Sequence, residues 1–200
     1  ANGLGAEIAM QAMYGYVSED IDEGSKRLAE RAKELGKPIS DYLLCSPDAM
    51  KKFPAGVFIT AEYDQAQAPA LKYLKLGEGP FYTMIRNYHL CHMEIPVTIR
   101  QVFKNRDILL DNSDHPTASV GVIAKKELFP GTVLKRADRN FQVRGEALCI
   151  KDSPNHVPIG LINNAVIKRN MEVGQLLTFD DVDIPDSLAY RAWKYTLCLA

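Results

Sequence analysis

An internal repeat in the second half of the chain limits the possible folds more than any other pattern. The stretch IAKKELFPGTVLKRAD (residues 123–138) aligns with VIKRNMEVGQLLTFDD (residues 166–181) at an offset of 43 residues. Each copy has a β-forming run, a basic pair, a glycine turn, a short apolar run and an acidic residue. The matched pairs are Lys125 with Lys168, Lys126 with Arg169, Leu128 with Met171, Gly131 with Gly174, Leu134 with Leu177, and Asp138 with Asp181.

This repeat predicts one compact β unit with approximate twofold symmetry. A single hairpin cannot bury its apolar face alone, so each copy needs the other. In each copy the glycine can take a positive φ while the neighbouring apolar residues enter a shared core. The short runs SVGVIA, ALCIK and AVIK nearby fit a small all-β unit. The polar segment 107–119 is the predicted linker in front of this unit.

Helical periodicity occurs in three stretches of the first half. In IDEGSKRLAERAKELGKP, apolar residues recur every three or four positions, Gly36 can cap a helix and Pro38 prevents its continuation. The run AEIAMQAMY, residues 6–14, also predicts a helix on its apolar spacing. A third helix is predicted in the run EIPVTIRQVFKNRD, ending at about Asn105, with Pro96 in its first turn.

Two β-forming runs lie between the helix predicted in IDEGSKRLAERAKELGKP and the third predicted helix. They are AGVFITA at residues 55–61 and PFYTMIRNY at residues 80–88. Helices and a short sheet in the first half, followed by the β unit, make the predicted fold class α+β.

Charge and hydropathy exclude several classes of partner. The formal net charge is −1, so there is no general attraction to nucleic acid or to acidic lipid. No apolar run approaches the roughly 20 residues that a membrane span needs. We therefore expect no nucleic-acid or membrane partner, and look for a small-molecule substrate in a pocket. The widely spaced cysteines, without a CxxC pair, favour reduced thiols in the cytoplasm: Cys45, Cys91, Cys149 and Cys198.

The segment GPFYTMIRNYHLCHMEIPVT holds the main chemical candidates, and three interpretations are open. His89 and His92 could bind a metal together with Cys91 or Glu94. Alternatively, Arg86, His89 and His92 are catalytic residues at the end of a strand. There the arginine would bind a carboxylate or phosphate, and a histidine would move protons. In the third interpretation the histidines hydrogen-bond to the backbone and hold the junction between strand and helix together, while Cys91 and Met93 fill core.

The preceding segment LKYLKLGEG supplies candidates for substrate binding. Lys72 and Lys75 could present ammonium groups to a phosphorylated substrate, because the following glycines allow close approach of the backbone. The alternative is that these lysines only solvate the surface. Tyr73 and Tyr82 are expected to lie in the core with the hydroxyl at its edge. His156, in a turn-rich stretch, shows no pattern that indicates chemistry.

Two parts of the chain resemble known families. The runs KKELFPGTVL and IKRNMEVGQLLTFDDV resemble the SAF domain, a β-clip unit, and this resemblance covers about residues 113–186. The run YLKLGEGPFY, followed by YHLCH, resembles the catalytic domain of homoserine dehydrogenase-like oxidoreductases that end in a SAF domain. That group includes the 1-deoxy-D-xylulose 5-phosphate reductoisomerase-like enzymes.

The resemblance implies a division of the chain and a missing part. Residues 1–110 would belong to the oxidoreductase catalytic domain, residues 111–186 to a SAF-like β-clip domain and residues 187–200 to a C-terminal tail. The cofactor would be NAD(P), held by an N-terminal Rossmann domain that this sequence lacks. No GxGxxG motif follows a predicted strand, and only GLGAE near the start has comparable residues. A homo-oligomer, with a homodimer as the default, is also implied.

The resulting expectation is a C-terminal part of an NAD(P)-dependent oxidoreductase that is inactive alone. Its substrate would be a small hydroxy or oxo compound, phosphorylated or not. Two alternatives remain open: a SAF-type module that binds sugars or sugar acids without catalysis, and a structural oligomerisation module.

Overall fold

The computed structural model describes most of the chain, and this part forms two compact units. The β unit consists of Ala1–Met13 and Asn112–Ala200, and the α+β unit consists of Tyr14–Asp111. Together the helices and small sheets confirm the predicted α+β class. The described residues are 1–49, 55–106, 108, 110–111, 114–135 and 142–199. Outside them lie Asp138 of the repeat and residues 107, 109, 112 and 113 of the predicted linker.

The α+β unit alternates short strands with helices. β1 pairs with β2 in parallel, and β3 pairs with β4 along its whole length in an antiparallel hairpin. The predicted strands at residues 55–61 and 80–88 are therefore confirmed as β3 and β4. The elements are β1 (Tyr16–Val17), α1 (Ile21–Leu35), β2 (Leu43–Leu44), β3 (Val57–Glu62), α2 (Ala68–Tyr73), β4 (Phe81–Arg86) and α3 (Cys91–Asn105).

Helix α1 forms where the sequence predicts it. The Asp20 side chain accepts hydrogen bonds from the backbone N–H groups of Asp22 and Glu23, at 2.8 and 3.1 Å, and so caps the first turn. At the other end Gly36 adopts a left-handed conformation with φ of 67°. The inward face of the helix buries Leu28, which is 5% exposed. Caps and apolar spacing thus agree, and the helix follows from local sequence.

Helix α3 differs from its prediction at its start. It begins at Cys91, so Pro96 lies inside the helix and not in its first turn. The proline lacks the N–H that would bond to the His92 carbonyl one turn earlier, so this helical hydrogen bond is missing. None of the residues of α3, all of which the structure describes, is buried. The apolar stripe of this helix is consequently exposed, with Phe103 at 85%.

The β unit contains a long antiparallel pair and a three-stranded sheet. β5 pairs with β7 from Ala118 opposite Cys149 to Ala124 opposite Val143. β8 lies between β6 and β9 and is antiparallel to both. The elements are β5 (Ala118–Ala124), β6 (Val133–Leu134), β7 (Val143–Cys149), β8 (Ala165–Ile167), β9 (Val182–Asp183) and α4 (Leu188–Leu199).

Backbone hydrogen bonds between the two repeat copies are reciprocal. The N–H of Leu128 donates to the carbonyl of Met171 at 3.0 Å, and the N–H of Met171 donates back at 2.9 Å. The N–H of Gly131 donates to the carbonyl of Ile167, and the N–H of Gly174 donates to that of Ala124, both at 2.8 Å. Since these partners are equivalent under the 43-residue offset, the predicted approximate twofold symmetry is confirmed.

The core of the β unit is built from equivalent positions of the repeat. Leu128 and Met171 are each 1% exposed, and Leu134 and Leu177 are fully buried. They belong to one apolar cluster to which β5, β7 and β8 also contribute. Each copy therefore completes the core of the other, as expected for hairpins that are too small to bury an apolar face alone.

The first residues of the chain do not form the helix predicted at residues 6–14. Ala12 and Met13 have positive φ values of 68° and 67°, which an α-helix cannot accommodate. The N–H of Ala12 donates to the carbonyl of Ala147 in β7 at 2.9 Å. The Asn2 amide bonds both the carbonyl and the N–H of Ala118 at the start of β5. Bonds to the sheet have replaced the helical bonds that the apolar spacing indicated.

Candidate functional site

An open apolar groove lies against the β3–β4 hairpin of the α+β unit. Its cavity measures about 360 Å³, a size suited to a small molecule. Two of the three predicted catalytic residues, Arg86 and His89, lie on its wall. The complete lining is Val57, Phe58, Ile59, Met84, Ile85, Arg86, His89 and Glu94.

The polar side of the groove forms where β4 ends and α3 begins. Arg86 is the last residue of β4, and Glu94 lies in the first turn of α3. Although eight positions separate them, the Arg86 guanidinium donates a hydrogen bond to the Glu94 carboxylate. The guanidinium carbon also lies 5.0 Å from the centre of the Tyr88 ring. The turn between strand and helix thus holds a cation and an anion side by side at the groove.

The structure separates His92 from the groove. His89 lies in the loop before α3 and lines the cavity, whereas His92 is exposed on the first turn of α3 and does not line it. The purely structural interpretation fails for the neighbours of these histidines. Cys91 is exposed and Met93 is 61% exposed, so neither fills core. Of the three predicted catalytic residues, the groove brings together Arg86 and His89.

The metal interpretation of this segment finds no support. In the described part of the chain, no group of three or more histidine, cysteine, aspartate or glutamate side chains is arranged to hold a metal ion. A zinc or iron site generally needs at least three protein ligands around one point. His89 and His92, with Cys91 or Glu94, do not meet that condition.

The predicted substrate-binding lysines also lie away from the groove lining. Lys72 donates a hydrogen bond to Glu78, and this bond raises the pKa of Lys72 and lowers the pKa of Glu78. Lys75 sits in a turn with a positive φ of 63°. Tyr73 is 86% exposed, so its expected place in the core is wrong. Tyr82 is 7% exposed as expected, and within the described residues its buried hydroxyl has no hydrogen-bond partner.

Three hydroxyl groups that the sequence analysis missed connect α1 to the hairpin. The Ser25 and Thr83 hydroxyls are 2.7 Å apart, and those of Thr83 and Thr60 are 3.0 Å apart. Ser25 is fully buried and also donates to the Asp22 carbonyl. The available signal was a serine on the apolar stripe of α1, which implies a buried partner.

His156 is the second group that the sequence analysis missed, and it belongs to the β unit. Its ring is fully buried. Nδ1 lies 2.6 Å from the carbonyl oxygen of Ser153, and Nε2 lies 2.7 Å from Oγ of Ser119. The edge of the ring meets Trp193, with 5.5 Å between the ring centres. Burial lowers the pKa of His156, and the bond to Ser153 offsets this only in part.

Asp181, the last residue of the second repeat copy, has a buried carboxylate. It accepts hydrogen bonds from the N–H and the hydroxyl of Thr178, at 2.7 and 2.6 Å, and from the Arg169 guanidinium. Burial alone would raise the pKa of Asp181, but the bonds from Thr178 and Arg169 together lower it. All three donors belong to the second repeat copy, which makes this an internal structural contact.

The described residues do not form a Rossmann-type site for a nicotinamide nucleotide. Such a site needs a glycine-rich turn that follows a strand of a parallel sheet and opens a helix. The GEG run at residues 77–79 follows α2 and precedes β4, which is the opposite order. Gly5 ends a short 3-10 helix, Asn2–Leu4, and no helix begins in residues 6–20, all of which the structure describes. We therefore derive no binding of this cofactor from these residues.

Comparison with known proteins adds an independent assignment for the first half of the chain. None of the helices in the described ranges is long and apolar enough to cross a membrane. No curated protein matches the chain significantly. Residues 1–95 match the family model described as oxidoreductase DRL, catalytic domain. All the residues that line the groove fall within this match. The groove thus lies in a stretch that is similar to an oxidoreductase catalytic domain.

Proposed function

We propose that the α+β unit supplies the substrate groove of an NAD(P)-dependent oxidoreductase of the homoserine dehydrogenase-like type. The substrate is a small hydroxy or oxo compound. The observation that carries this proposal is that Arg86 and His89 line one apolar groove within the stretch similar to an oxidoreductase catalytic domain. An active site usually combines an apolar cavity with a few charged and proton-transferring side chains.

The two groove residues have different roles in this proposal. Arg86 binds an anionic group of the substrate through its planar fork of donors. His89 exchanges a proton with the hydroxyl or oxo oxygen as that oxygen changes its charge. His92, Lys72 and Lys75 are left out of the proposed site, because the described lining of the groove does not include them.

Several partners belong to the same proposal. NAD(P) is bound by a separate Rossmann domain, because the described residues of this chain do not fit it. The β unit acts as a SAF-type β-clip, a reading supported by its twofold repeat. We further propose a homodimer in the cytoplasm. The free thiols of all four cysteines support a reducing setting.

The test uses this chain together with its nucleotide-binding domain. Replacing Arg86→Met or His89→Asn is expected to lower kcat/KM about a hundredfold with little change in Tm, because both side chains are exposed. Arg100→Met is the matched control, since Arg100 is exposed on α3 and does not line the groove. Unchanged kinetics, or an equal loss in the control, would rule the proposal out. A lower Tm with normal kinetics would make Arg86 and His89 structural.

A second candidate function is favoured by one observation, the symmetric β unit. As a SAF-type module it would bind a sugar or sugar acid without catalysis, using residues of the β unit and not the groove. Titrating the whole chain with gluconate and following backbone NMR shifts separates these possibilities. Shifts confined to the β unit favour this module. Dimerisation through the β unit without any gluconate shift favours the structural oligomerisation module.

A further inference from the structure

The described groove lining offers a ligand one permanent cation, which is hydrogen-bonded to a carboxylate of the same lining. Five of the eight lining side chains are apolar, and Arg86 is the only permanent cation among the other three. Lys72, which would favour a phosphorylated substrate, is already hydrogen-bonded to Glu78 outside the groove. A ligand that matches this described lining has an apolar body and a single negative charge.

Glu94 now occupies the place that such a charge would take. Its carboxylate accepts a hydrogen bond from the Arg86 guanidinium and also lines the groove. The Arg86 and Glu94 side chains are 53% and 48% exposed, so water screens their attraction and the pair is easily opened. The contact shows that a carboxylate beside the groove can accept a hydrogen bond from the Arg86 guanidinium.

We propose that the groove binds small monocarboxylates with an apolar body, and that the ligand carboxylate replaces Glu94 on Arg86. The apolar part of the ligand then covers β3 and β4 residues such as Ile59 and Met84, which are 57% and 63% exposed. Glu94 competes with the ligand carboxylate for Arg86 and thereby lowers the affinity of the groove for the ligand. No covalent bond forms between Glu94 and the ligand. The interpretation of this ligand as the substrate rests on the proposed function.

The Arg86 cation and the apolar wall of the groove each favour a different feature of the ligand, which three probes can separate. Benzoate carries both features, benzyl alcohol only the apolar ring, and inorganic phosphate only the charge. Because hydrogen bonds to a charged group are the stronger ones, benzoate is expected to bind at least about tenfold more tightly than benzyl alcohol. Inorganic phosphate is expected to bind more weakly than benzoate, since it covers none of the apolar wall.

The experiment is an NMR titration of the whole chain with these three probes. Benzoate should shift the backbone signals of residues 57–59 and 84–86 and the Arg86 side-chain Nε signal. Arg86→Met should reduce benzoate affinity to the level of benzyl alcohol, whereas Arg100→Met should leave it unchanged. Glu94→Gln should increase benzoate affinity about threefold, because an exposed ion pair of this kind is worth little but competes directly.

Three results would overturn the inference. They are equal binding of benzoate and benzyl alcohol, phosphate binding as tightly as benzoate, and a Glu94→Gln variant that binds benzoate no better than the wild type. Turnover of the protein with its nucleotide domain separates this inference from the proposed function. Normal turnover in Arg86→Met, with benzoate binding as expected, would rule out the proposed function but not the carboxylate inference. Reduced turnover in Arg86→Met, with benzoate and benzyl alcohol binding equally, would rule out the carboxylate inference but not the proposed function.

Discussion

At the scale of single residues, His156 shows how one buried polar side chain joins several parts of the β unit. Its two ring nitrogens bond to Ser153 and Ser119, and its edge meets Trp193 of α4. A buried imidazole without these partners would cost stability, so the site depends on both bonds. The neutral ring is the form that this environment favours, because burial lowers the pKa of His156.

Stability of the β unit is therefore expected to depend on pH through His156. Its pKa in the folded state lies below the ordinary value of 6.5, so the unfolded chain binds the proton more readily. The free energy of unfolding should be constant above about pH 6.5 as far as His156 is concerned. It should fall as the pH drops from 6.5 towards the folded-state pKa of His156. Urea unfolding between about pH 8 and about pH 5 measures this dependence.

Two variants make this pH test specific. His156→Gln can keep both hydrogen bonds and carries no titrating group, so it should lose the dependence in this range even if it is less stable overall. His92→Asn, on an exposed side chain, should retain it. A wild-type protein with the same free energy of unfolding across the range would contradict the argument.

The Arg86 and Glu94 pair marks the limit of what sequence predicts about the site. Side chains eight positions apart do not contact each other within one helix or one strand. The pair forms because β4 ends at Arg86 and α3 begins at Cys91, which turns the chain back on itself. The sequence identified Arg86 and His89 as candidates from their residue types and their place at a strand end. It could not separate them from His92, because the loop geometry decides which side chains meet.

At the scale of elements, the repeat is the part of the fold that sequence predicted best. Equivalent glycines, Gly131 and Gly174, both have φ of 85° and both donate to a carbonyl of the other copy at 2.8 Å. Two helices predicted from apolar spacing had different outcomes. α1 formed between its caps, whereas residues 6–14, which have no such caps, do not form a helix, and Ala12 there donates a hydrogen bond to Ala147 of β7.

Replacing either repeat glycine by alanine should cost about the same. A Cβ at Gly131 or Gly174 would meet no atom within 4 Å, so the cost comes from the left-handed backbone alone. We expect each variant to lose about 1–2 kcal/mol of unfolding free energy, measured in urea. Gly160→Ala is the matched control, because its Cβ also has open space and its φ is not positive. Unequal losses at Gly131 and Gly174 would mean that the two turns are not energetically equivalent.

At the scale of the whole molecule, the two units differ in how much apolar surface they bury. Fully buried side chains such as Val122, Ile123 and Leu177 belong to the β unit. In the α+β unit, burial centres on α1 and the start of β4, with Leu28 and Phe81 at 5% and 8% exposure. Sequence periodicity located α3 but could not show that its apolar stripe would remain exposed, because periodicity records which face is apolar and not what covers it.

This contrast predicts a gradient of amide hydrogen exchange along the chain. β5 pairs with β7 over seven residues and its second half is buried, so its amides should exchange slowly, whereas α3 gains no stability from buried side chains. We expect protection in α3 to be at least about a hundredfold lower than in β5, with α1 between the two. Backbone NMR on the whole chain at a single pH measures all three elements together. Protection in α3 equal to that in β5 would contradict the prediction, since a helix with no buried residue lacks the packing that would hold it closed.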